Sequence, residues 1–113
     1  MLSWSSSDAG NPADLAAIID GEGDGGLPLG RELVAFTDGI TGYDDDALDA
    51  ARARLVEAAG EHFMVDAAAI AANFEMMTRV ADGTGARFPA ESAAARAPLD
   101  ERLGIRGFVS ARP

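Results

Sequence analysis

The chain has 113 residues, with nine basic side chains against nineteen acidic ones and a net charge of −10. That length holds one small core, and the acidic excess argues against nucleic acid, whose phosphates demand a concentrated basic footprint. There is no Cys or Lys and only one His, which excludes disulfides, cysteine nucleophiles, Schiff-base chemistry and a multi-histidine metal site within one chain.

Residues 1–11 read as a flexible leader, Ser-rich and aperiodic, with Trp4 as a candidate anchor and neither the basic nor the apolar region of a secretory signal. Residues 12–113 are expected to form a single helical domain. Asn11, Pro12 and Asp14 match the N-cap, first-position and first-turn preferences of a helix carrying Leu15, Ile18 and Ile19. The glycine-rich stretch 21–26 ends that helix as a flexible loop. A phosphate cradle there is disfavoured: no strand precedes it, no Lys is present, and Glu22 and Asp24 would repel an anion.

A second helix is predicted from about Leu29 to Thr41, with Leu33, Phe36 and Ile40 on one face and Val34 beside them. Asp44, Asp45 and Asp46 then cap and open a third helix, about Asp45 to Ala59. The three Asp lack the alternating oxygen ligands, turn glycine and distal Glu of a calcium loop, so capping is the better reading. The inward stripe of this helix is Leu48, Ala51, Leu55 and Ala58, and Gly60 is its stop.

The fourth helix, about Glu61 to Asp82, is the most informative. At 100° per residue, Phe63, Ile70, Phe74 and Met77 fall on one apolar face, while Glu75 and Arg79 make an i, i+4 pair on another. That is more apolar circumference than one short bundle covers, so Phe63, Ile70, Phe74 and Met77 are the expected oligomer interface. Asp66 and Asn73 interrupt the apolar face seven positions apart; such groups either serve a site or bond across packed helices. His62 precedes Asp66 by four positions, the spacing of an oriented general base and equally of a contact at a helix start. With Arg79, the candidate catalytic groups are therefore His62, Asp66, Asn73 and Arg79. A last helix spans about Ala90 to Leu103, interrupted or restarted at Pro98, with Ile105 and Phe108 as tail anchors. No segment alternates with period two, so no strand is expected. The longest apolar run, residues 67–72, falls far short of the roughly 20 residues of a membrane helix.

The run DAAAIAANFEMMTRVADGTG, Asp66 to Gly85, followed by Arg87-Phe88-Pro89, resembles a helix of the carboxymuconolactone decarboxylase and alkylhydroperoxidase D-like superfamily. The stretches ADLAAIIDG, LGRELVAFTDGIT and LDERLGIRGFVSA are also similar to that family, so the resemblance covers about residues 13 to 110, most specifically Arg79 to Gly85. It implies an all-α fold of about five helices, completed by a second subunit. The CxxC-bearing segment of the peroxidase branch is not part of the match, so no peroxidatic Cys, relay Glu or relay His is carried over. Asn73, Arg79 and Asp82 match the motif.

The resulting expectation is an all-α, cytoplasmic, non-redox homo-oligomer, acting as an interaction module or a small-molecule binder. No cofactor, metal, nucleic-acid or membrane partner is expected. The alternative is a lyase or decarboxylase acting on a small acid or lactone, with acid–base residues at a subunit interface.

Overall fold

The computed structural model describes residues 8–10, 12–20 and 23–107. Among them every regular element is helical: α1 (Ala16–Asp20), α2 (Gly30–Thr41), α3 (Asp45–Ala59), α4 (Glu61–Thr84), α5 (Ala90–Arg102) and a 3-10 turn, Ile105–Gly107. No helix among the described residues is long and apolar enough to cross a membrane. The chain divides into two compact units, residues 1–79 and 80–113. Trp4, Asn11 and Phe108, to which capping or anchoring was assigned, lie outside the described residues, as does most of the leader.

In the first unit, α2 and α3 form the close-packed pair. Phe36 of α2 meets Ala51 and Leu55 of α3, and all three are almost wholly buried, Leu55 completely. Leu33, Ile40 and Leu48 pack around them, as the helical spacing predicts. Ala58, placed on the same stripe, is instead exposed, because it lies in the last turn of α3. Gly39 lets the two helices approach: a Cβ there would lie 3.0 Å from the Leu48 Cα.

The helix ends follow local chemistry. Asp44 is extended, and its carboxylate accepts a hydrogen bond from the Ala47 amide at 3.0 Å, satisfying one of the donors a helix start leaves open. The Gly60 amide closes α3 by donating to the Val56 carbonyl at 2.8 Å.

Two boundaries differ from expectation. The first helix starts at Ala16 rather than Pro12, because the backbone ahead of it is used elsewhere. The Asp14 amide donates to the Gly25 carbonyl at 2.8 Å, and the Asp14 carboxylate accepts from the Ala16 amide at 3.1 Å. The described part of the glycine-rich loop is therefore tied to α1, where a free linker was expected. Its Asp24 carboxylate accepts from the Gly26 amide at 2.9 Å, and the Leu27 amide donates to the Asp24 carbonyl at 3.1 Å. Leu29 enters α2 in the left-handed region, φ 57°, rather than as a helical residue. Gly30 then passes so close to Asp24 that any Cβ would overlap the Asp24 carbonyl.

In the second unit, α4 runs to Thr84, beyond the expected end at Asp82. The Thr84 hydroxyl donates back to the Val80 carbonyl at 2.8 Å, and the Ala86 amide donates to the Ala81 carbonyl at 3.0 Å. The last long helix passes through Pro98 without a break. The ring removes one backbone donor, but Ala94, whose carbonyl loses it, and Pro98 are both exposed, so water replaces the bond. Arg96 spans the position: its guanidinium lies 3.4 Å from the Asp100 carboxylate and 4.2 Å from the centre of the Phe88 ring. No described side chain of this unit is fully buried.

Candidate functional site

The candidate residues all stand on α4, so its orientation decides what they can do. The helix docks on the Phe36–Ala51–Leu55 core with Met64, Ala67 and Ala68. These small side chains allow close approach, whereas the larger apolar face points away. Ile70 is 60% exposed and Phe74 53%, with Phe63 and Met77 also open to solvent and Val65 and Met76 beside them. Together these six side chains expose on the order of 600 Å² of apolar surface, at the upper end of what monomers leave uncovered.

His62, Asp66 and Asn73 lie within this outward face. At 100° per residue they fall within about 40° of one another, and at 1.5 Å rise they spread over about 16 Å of helix. All three are exposed. No hydrogen bond or ion pair joins them in the described structure, so the His62–Asp66 spacing does not produce an oriented pair within one chain. Acid–base chemistry on such a strip needs a second wall that excludes water and fixes a substrate.

Arg79 does not join them. It points roughly 100° or more around the helix from that strip, and its guanidinium lies 3.4 Å from the Glu75 carboxylate, with both side chains largely open to solvent. The expected i, i+4 pair is thus present as a surface contact worth only tenths of a kcal/mol. Among the described residues, no group of three or more His, Asp or Glu side chains converges as a metal site. Asp44 is engaged as a helix cap.

The sequence reading missed a cleft of about 290 Å³ beside α1 and α2. Leu15 and Ile18 form one wall, Leu33 and Val34 the other, and Asp24 to Leu27 of the loop contribute to its lining. The apolar spacing of α1 and α2 is visible in the sequence. The hydrogen bonds that draw the loop against α1 join residues about ten positions apart, and composition carries no sign of them. Compared with protein-family models, with curated proteins and with solved structures, the chain finds no match in any of the three.

Proposed function

We propose that the protein is a cytoplasmic, non-redox relative of the carboxymuconolactone decarboxylase and alkylhydroperoxidase D-like superfamily, working as a homo-oligomeric helical interaction module whose subunit interface is the outward face of α4. The observation that carries this reading is the exposure of Phe63, Ile70, Phe74 and Met77 on one helix whose opposite face already serves the chain's own core. Burying that face removes apolar surface from water at roughly 25 cal/mol per Å². Charge favours a second copy as the occupant. In a chain of net charge −10, the strip from His62 to Met77 carries one carboxylate, Asp66, so two copies meet there with little repulsion. An antiparallel pairing centred near Ile70 keeps the two Asp66 groups about 12 Å apart along the helices. Asp66 and Asn73 then act as register-setting polar groups in an apolar seam.

Light-scattering mass measurement across concentrations tests the interface. The full chain is expected at twice the single-chain mass or more, and Ile70→Asp with Phe74→Asp at the mass of one chain with its helical circular dichroism retained. A single-chain mass for the unaltered protein at about 100 μM, where interfaces of ordinary size are occupied, overturns the proposal.

The shared strip of His62, Asp66 and Asn73 favours one second reading. Faced by another subunit, it becomes a water-poor groove in which His62 serves as a general base, Asp66 orients it and Asn73 donates a hydrogen bond to a small acid or lactone. Arg79 has no part in this arrangement beyond its contact with Glu75. Loss of a detected lyase activity in His62→Ala, with the oligomeric mass unchanged, supports this second reading; unchanged activity removes it.

A further inference from the structure

The cleft beside α1 and α2 is independent of the α4 face: its lining runs from Ala13 to Asp38 and includes no residue of α3 or α4. Its walls are apolar side chains, and Ile18 remains about half exposed over it. Three carboxylates, Asp14, Asp24 and Asp38, share the lining, and no basic residue does. Two of these are held in place, Asp14 by the Ala16 amide and Asp24 by the Gly26 amide. Asp38, on α2, makes no hydrogen bond or ion pair within the described structure.

An apolar cavity with a one-signed acidic lining selects by two properties at once. The walls favour a hydrocarbon or aromatic body, and the carboxylates favour a positive head while rejecting a negative one. The volume of about 290 Å³ suits a molecule of roughly ten to fifteen non-hydrogen atoms, near the lower limit of ligand pockets. We propose that this cleft binds a small amphipathic cation, an amine or ammonium group on an aromatic or branched alkyl body, with Asp38 as the counter-ion and Leu15, Ile18, Leu33 and Val34 holding the body.

The test uses the full chain and a matched pair of probes, 2-phenylethylamine and 3-phenylpropionate, followed by titration calorimetry and ligand-observed NMR. The amine is expected to bind and the carboxylate not to. Asp38→Asn, a surface change, is expected to weaken the amine about fivefold or more. Val34→Trp is expected to fill the cleft and abolish binding, and Ile18→Trp does the same from the opposite wall should the first variant fold poorly. Equal binding of both probes overturns the proposal. So does amine binding that survives both Asp38→Asn and a cleft-filling variant, or no amine binding at millimolar concentration. The oligomeric mass is read on the same samples, so failure here and failure of the α4 interface are told apart.

Discussion

The two faces of α4 carry the same kinds of residue and meet opposite environments. The inner face presents Met64, Ala67 and Ala68 to a core built on Phe36, Ala51 and Leu55. The outer face presents larger side chains, Phe63, Ile70, Phe74 and Met77, to solvent. Hydrophobicity alone does not choose between them. The α2–α3 pair leaves a shallow surface, and a helix reaches it closely with alanines but not with phenylalanines. The larger residues are thereby left for something other than this chain's own core.

The sharpest way to break that comparison is through the core beneath the inner face. Leu55→Ala removes a completely buried side chain and is expected to lower stability by about 3 kcal/mol in urea unfolding. Placing a charge at the inner face itself, Ala68→Glu, is expected to cost about 2 kcal/mol and to loosen the first turns of α4, read as faster amide exchange there. The same change on the outer face should act differently. Ile70→Asp is expected to leave the unfolding midpoint of a single chain within about 0.5 kcal/mol while lowering the oligomeric mass. A loss as large as that of Leu55→Ala would mean that the outer face belongs to the chain's own core.

Smaller effects refine the picture. Asp44→Ala removes the α3 cap and is expected to cost about 1 kcal/mol. Arg79→Ala breaks only the exposed contact with Glu75 and should change stability by less than about 0.5 kcal/mol. A large loss of oligomeric mass from Arg79→Ala would place that side chain in the interface and redraw the outward face.

Much of the helical plan was legible in particular residues. The Asp44 cap and Gly60 stop bound α3 where their chemistry predicts, and Leu33, Phe36 and Ile40 define the face of α2 that meets the core. Other features were not legible. The start of α1 depends on Gly25, eleven positions after Asp14. The passage of α5 through Pro98 depends on the exposure of the affected turn. His62, Asp66 and Asn73 were legible as neighbours on a helix, since a fixed 100° step places them together. Their lack of mutual bonding was not legible, because side-chain spacing states what is within reach rather than what is made.

Sequence by itself determined the helices, the absence of thiol chemistry and the acidic balance, because propensity, capping and residue identity are local or compositional properties. Tertiary structure alone decided which side of α4 the core would take and where a cleft would open. Both depend on how closely distant backbones approach: Gly39 against Leu48, and Gly30 against the Asp24 carbonyl. Such approaches are set by contacts between segments, and no single segment contains them.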